Sequence, residues 1–224
     1  MGSGNISTIM MNLEPYLAGR ARWPVAGRHI LADYDAESVV VYQAYHPGIA
    51  LPAARDGRFG ARWSRTRMTW IKPGFLWMMY RSGWATKENQ EAVLRIRLQR
   101  SGFDEILKRA VHSSYVPEVY GTREAWDERV ARSEVRLQWD PDHHPSGAKE
   151  ERRAIQLGIR GGTLASFADD WIIGIEDITP FVREQHAHVV KQAYRDLMLP
   201  REEPYPVSDA EVAAKLGITG DAAP

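Results

Sequence analysis

The longest run of strand-like positions is Ser38 to Tyr45, Ser-Val-Val-Val-Tyr-Gln-Ala-Tyr, which is β-branched and aromatic almost throughout. It predicts a strand over Glu37–Tyr45, closed by His46-Pro47-Gly48. Ile49 to Arg55 then reads as a short helix with a turn at Asp56-Gly57, and Thr69-Trp70 as a short strand. Pro73 suits the first turn of a helix, where its missing N–H costs nothing. That helix runs to Arg81 or Ser82, with Gly83 as its left-handed terminus. Ala92 to Leu98 alternates apolar and basic residues, the pattern of a half-buried strand. Ser101 is placed to cap a helix reaching about Val111.

Further on, Arg123–Arg132 reads as a charged surface helix, Val135–Trp139 as a strand, Pro141–Lys149 as a polar loop and Ala154–Ile159 as another strand. Thr163–Ala168 predicts a short helix, Trp171–Ile178 a strand or strand pair, and Pro180 opens a helix to about Leu197. Strands and short helices mix without regular βαβ alternation. The expected fold is α+β: a single domain, residues 28–199, with a mixed or antiparallel sheet and short flanking helices. Residues 1–27, broken by Pro15, Gly19, Pro24 and Gly27, predict a loosely attached arm, whose Met1–Gly4 reads as an expression remnant, with Met10 or Met11 as the native start. Residues 200–224 predict a tail with one weak helix, Asp209–Leu216, capped by Ser208.

Composition narrows the functional classes. The 29 basic and 29 acidic residues balance, which argues against a dedicated duplex-DNA binder. There is no cysteine, so disulfides, thiolate metal sites and cysteine nucleophiles are excluded. No apolar run suits a bilayer span or a signal peptide, so the expectation is a cytoplasmic protein without a membrane partner. No phosphate loop, dinucleotide fingerprint, nucleophile elbow or metalloprotease helix is present.

The chemistry concentrates in Met68 to Ala85. Trp70, Trp77 and Trp84 recur every seven residues there, with Lys72 and Arg81 between them. Aromatics beside cations suit a flat, anionic ligand; the same segment also reads as core. Lys72 would lie just before a helix N-terminus, a setting that favours anions. With Arg81 it could hold a phosphate, although the ends of an eight-residue helix are about 12 Å apart, and both could equally be solvated helix-end charges. Tyr42 and Gln43 point to opposite faces of their strand, so only one can share a pocket with a given neighbour. Arg28, Tyr45 and Arg67 complete the candidate binding set.

Glu176-Asp177 ends an apolar strand, where a carboxylate can act as a base or stabilise a cationic transition state, or serve as a helix cap or ion-pair partner. Asp140, Asp142, His143 and His144 cluster as metal ligands do, but adjacent histidines aim poorly at one ion, and no metal is expected.

Several of these motifs together resemble one family. Arg28-His29-Ile30-Leu31-Ala32-Asp33-Tyr34, Val41-Tyr42-Gln43-Ala44-Tyr45, Arg67-Met68-Thr69-Trp70-Ile71-Lys72-Pro73, Phe75 to Trp84, Gln138-Trp139-Asp140-Pro141, and Trp171-Ile172 through Glu176-Asp177-Ile178-Thr179-Pro180 are similar to the family catalogued as domain of unknown function 4291. The resemblance covers about residues 28–199. One departure is Gly74, where the family pattern has serine. The resemblance implies a fold and motif positions and no activity.

Three functions stay open. The first is a nucleotide- or nucleic-acid-directed enzyme, by analogy a transferase resembling ADP-ribosyltransferases that holds NAD with aromatics and cations, with Glu176, Tyr42 and Gln43 as catalytic candidates. The second is a non-catalytic module binding single-stranded RNA or a modified nucleotide through Trp, Tyr and Arg. The third is a small-metabolite tailoring enzyme. A carboxylate facing the Trp70 and Arg81 pocket favours the first; a pocket of aromatics and cations alone favours the second.

Overall fold

The structure, a computed structural model, describes residues 11–219. In chain order it contains β1 (Leu13–Pro15), α1 (Tyr16–Arg22), β2 (Gly27–Arg28), β3 (Leu31–Ala32), β4 (Ser38–Tyr45) and α2 (Pro47–Asp56). Then follow β5 (Thr69–Ile71), α3 (Phe75–Ser82), β6 (Ala92–Gln99), α4 (Arg100–Arg109) and β7 (Ala110–His112). The middle third adds α5 (Pro117–Tyr120), α6 (Arg123–Arg132), β8 (Val135–His143), β9 (Lys149–Ile159) and α7 (Gly161–Ser166), the last continued by a π-turn at Phe167–Trp171. The chain closes with β10 (Ile172–Asp177), α8 (Thr179–Val190), β11 (Met198–Pro200), β12 (Glu203–Pro204) and α9 (Ala210–Leu216).

Two sheets carry the fold. One is antiparallel in the order β10-β6-β4; the other runs β2-β9-β8-β7, with β5 also paired to β9 and mixed strand directions. The architecture is one α+β domain. A single bridge ties the sheets: the Tyr42 N–H donates to the Lys72 carbonyl at 2.7 Å, and the Lys72 N–H donates back at 3.2 Å.

Alternation along β4 splits the core in two. Val39 and Val41 join Leu94, Ile96, Leu98, Ile71, Leu137 and Leu157 on one face. Val40 and Tyr42 join Val93, Phe75, Met79 and Val182 on the other, beneath α3 and α8. β6 is therefore covered on both faces, and the expectation of a half-buried strand fails there. Arg95 is 3 % exposed, and its guanidinium is held by Asp33 at 2.8 Å and Glu176 at 3.1 Å. A buried guanidinium needs such partners, because removing its hydration without replacement is costly.

Residues 11–27 are packed rather than loosely attached. β1 pairs antiparallel with β11, and Tyr16 and Trp23 are buried. The expected arm reaches back into residues 1–10, which lie outside the described residues. The loop expected over Pro141–Lys149 is shorter, because β8 continues to His143. The helix expected to Leu197 ends at Val190. Ser101 lies inside α4 instead of capping it, and Asp209 rather than Ser208 caps α9, accepting the N–H groups of Glu211 and Val212.

Candidate functional site

A concavity of about 690 Å3 opens at the seam where the end of β4 meets β5. Gln43, Tyr45, Arg67, Trp70, Lys72 and Arg81 all line it. These are six of the ten residues singled out from sequence. Register explains the grouping. Trp70 opposes Gly158 of β9, while Gln138 of β8 opposes Gln156 of β9, so these side chains emerge on one sheet face. A Cβ on Gly158 would meet the Met68 sulfur at 2.6 Å and the Trp70 ring at 3.0 Å. Glycine is thus what lets the indole lie against the strand.

The opposite wall is a hydrogen-bonded polar layer. The Gln43 side-chain amide donates to Thr69 Oγ1 at 2.7 Å and to the Trp70 carbonyl at 3.2 Å. A carbonyl only accepts, so this contact fixes which end of the amide is nitrogen. The Trp63 indole N–H donates to the Tyr45 hydroxyl at 2.9 Å, and the Tyr45 and Thr69 hydroxyls share a 2.8 Å bond. Two hydroxyl protons serve one bond between them, so one O–H is free to donate elsewhere. Burial raises the Tyr45 phenol above its ordinary range.

The lining of the cavity is basic. Arg62, Arg67, Lys72 and Arg81 line it, no Asp or Glu does, and none of the four makes an ion pair among the described residues. Nine of the twenty arginines outside the cavity are paired with carboxylates, from Arg20 to Arg201. Lys72 is the extreme case. Only 4 % exposed, its amine is pushed down to about 8 by burial, then by the positive charge of Arg81, with Asp140 opposing. Asp140 itself is occupied, accepting from Gln138 at 2.8 Å and Gln156 at 2.7 Å.

The rim beside Arg81 is conformationally costly. Gly83, Trp84 and Ala85 are three successive residues with positive φ, at 58°, 55° and 63°. The two that are not glycine pay for that geometry. Trp84 is held there by its N–H to the Met79 carbonyl at 2.8 Å and its indole N–H to the Pro145 carbonyl at 3.2 Å. The turn brings Asn89 and Gln90 to the cavity, where Gln90 Oε1 accepts a long 3.4 Å contact from Arg81.

Four expected site residues lie elsewhere. Tyr42 points to the other face of β4, fully buried edge-on against Phe75 at 5.5 Å. Glu176 shares that face through its pair with Arg95. The carboxylate that an ADP-ribosyltransferase-like reaction would place beside the ligand is therefore committed across the sheet, and Asp177 accepts the Thr179 N–H as a cap of α8. Arg28 is covered by the C-terminal segment, where its N–H donates to Thr219 Oγ1 at 2.8 Å. Trp77 is core, parallel to His143 at 5.3 Å and to Tyr80 at 5.5 Å. Trp84 stacks on His186 at 5.6 Å, so the sevenfold tryptophan spacing is a packing pattern with only Trp70 on the cavity.

The anion site expected at the start of α3 is filled from within the chain. Gly74 offers no side-chain cap, and the Phe75 N–H donates instead to Glu202 Oε1 at 2.7 Å. The acidic-histidine cluster is likewise dispersed: Asp142 binds Arg152 at 2.7 Å, His144 contacts Ser146 at 2.9 Å, and no group of three metal-ligating residues occurs among the described residues.

Arg62, Trp63, Gln138 and Gln156 were not foreseen as lining residues. The Gln138 and Gln156 positions follow from cross-strand register, and Trp63 from its bond to Tyr45; neither has a local sequence signal.

Residues 29–205 match the family model described as domain of unknown function (DUF4291). The chain belongs to the DUF4291 family. The matched span contains every cavity-lining residue and also Glu202. Among curated proteins, none matches the chain. No helix among the described residues is long and apolar enough to cross a membrane.

Proposed function

We propose that the chain binds a phosphate-bearing nucleotide, free or within single-stranded RNA, in the cavity between β4 and β5. One observation carries this reading: four cations without a carboxylate partner share a concavity with Tyr45, Trp63 and Trp70. Uncompensated guanidinium groups attract phosphate and can pair it in two-pronged fashion. The half-buried Trp70 indole offers a face for a base, a contact worth about 1–3 kcal/mol. The Gln138 and Gln156 amides each donate one N–H to Asp140 and keep a second N–H and a carbonyl oxygen for base edges, while Gln43 keeps its carbonyl oxygen.

Of the alternatives weighed from sequence, the acid-free lining favours phosphate binding over an ADP-ribosyltransferase-like reaction with Glu176 beside the ligand. A thermal-shift comparison of adenosine 5′-monophosphate, adenosine and inorganic phosphate tests the reading. The monophosphate at 100 times its Kd should stabilise the fold by about 2.7 kcal/mol, and either half alone should do less at the same concentration. Absence of stabilisation by nucleotides of any base up to millimolar concentration would reject it.

A further inference from the structure

We propose that Lys72 is a nucleophile, and that the cavity takes a phosphorylated ligand presenting an aldehyde, which the Lys72 amine captures as an imine. This rests on the phosphate-binding reading above and adds a reaction to it.

The geometry sets Lys72 apart. The chain has 23 arginines and six lysines, and Lys72 is the lysine that lines the cavity. Its backbone is locked to Tyr42 by two hydrogen bonds, so the side chain starts from a fixed point. Its amine has no hydrogen-bond or ion-pair partner among the described residues, although the side chain is almost wholly buried. A lysine kept only for charge would be expected to find a carboxylate, and Asp140 is nearby but already bound by two glutamine amides. The surrounding arginines do the phosphate's work, which leaves the amine available. Burial and Arg81 also favour its neutral form. At pH 7.5 a lysine titrating near 8 is unprotonated in roughly a quarter of molecules, against about one in a thousand for an unperturbed lysine. Neutral amines, not ammonium ions, add to carbonyls.

The step balances without an external oxidant or reductant. The Nζ lone pair attacks the aldehyde carbon and an N–H proton passes to the carbonyl oxygen, giving a carbinolamine. The C–O bond then breaks, the remaining N–H proton leaves with the oxygen, and the products are an imine and one water. This chemistry asks for no carboxylate, and none lines the cavity.

Pyridoxal 5′-phosphate is a suitable probe, since it joins a flat ring, a phosphate and an aldehyde. The full chain is incubated with it at pH 7 in the presence of cyanoborohydride, which reduces the imine to a stable secondary amine, and the labelled peptides are mapped over time. The exposed Lys87, Lys149 and Lys191 serve as internal comparators. Lys72 should be labelled at least tenfold faster than these, and adenosine 5′-monophosphate should protect it. If Lys72 is labelled no faster than the exposed lysines while the nucleotide still stabilises the fold, the nucleophile assignment is overturned and the binding reading stands. If Lys72 is labelled preferentially but the nucleotide neither protects it nor stabilises the fold, the assignment stands and the nucleotide reading falls. If neither effect is seen, both fall.

Discussion

Glu202, 127 residues after Phe75, accepts the Phe75 N–H at 2.7 Å through its carboxyl Oε1 and so caps the helix that carries Arg81 to the cavity. Glu202 is 3 % exposed, and burial, with Asp142 and Asp33 adding to it, pushes its carboxyl well above the usual carboxylate range. The C-terminal segment thereby sets the position of α3, and the cavity depends on a residue far from it in sequence.

Glu202→Gln keeps the acceptor oxygen and removes the titration. Between the ordinary carboxyl value and its raised folded value, folded Glu202 holds a proton that the unfolded chain has lost. Wild-type stability should therefore fall as pH rises from about 4.5 through that window, and the Gln variant should not show this decline. Melting curves of both proteins across pH 4.5 to 8 check it. Glu202→Ala should cost about 1–3 kcal/mol by orphaning the Phe75 N–H. Gly74→Ser should recover part of that. Gly74 has extended backbone at φ −78°, and a Cβ there meets nothing closer than 3.9 Å. A serine N-cap then adds about 0.5–1 kcal/mol.

Lys72 makes a second pH signature of opposite sign. Between about 8 and its ordinary 10.5, the unfolded chain holds a proton that the folded chain has released, so this residue makes stability rise with pH across that window. Well below pH 8 both states are protonated and the folded chain bears the whole cost of a charged, buried amine. Lys72→Met, which keeps the stem, should be more stable than wild type at pH 7 by up to about 3 kcal/mol, with the gap closing toward pH 10.5. Taking the difference between the two proteins cancels the tyrosines that titrate in the same range. A gap independent of pH would show that Lys72 is not perturbed.

Much of this site was legible in the sequence, and the rest fails for definable reasons. Alternation in β4 correctly separated Gln43 from Tyr42, because the period of a strand is strict. The aromatic segment from Met68 correctly held Trp70, Lys72 and Arg81 near one another, since β5 runs almost directly into α3. The evenly spaced tryptophans misled, because sevenfold spacing across a strand, a helix and a left-handed turn does not define one face. Arg95 and Glu176 misled because the sequence of a strand does not reveal how many of its faces are covered. Glu202 at α3 and the Gln138–Gln156 pair are long-range contacts, set by register and topology, and no local pattern announces them.

Gly158 tests whether the seat of Trp70 matters. Adding a methyl group forces Met68 and the indole to move, since the new Cβ would lie 2.6 Å from the sulfur and 3.0 Å from the ring. Gly158→Ala should cost about 1–3 kcal/mol in stability and weaken nucleotide binding. Thermal melts combined with nucleotide titration check both effects. A variant with wild-type affinity and altered stability would mean that Trp70 does not contact the ligand.

The central claim is that unpaired cations in this cavity bind the phosphate of a nucleotide, and Arg67 and Arg81 carry it most directly. Both line the cavity, and neither forms an ion pair among the described residues that a substitution would break. Isothermal titration of adenosine 5′-monophosphate into wild type and into the Arg67→Gln/Arg81→Gln double variant compares affinity with the fold held constant. At about 1.4 kcal/mol or more for each charged hydrogen bond, the double variant should bind at least about a hundredfold more weakly while melting within about a degree of wild type. Equal affinity in the two proteins, or no heat of binding in wild type at millimolar nucleotide, would contradict the account.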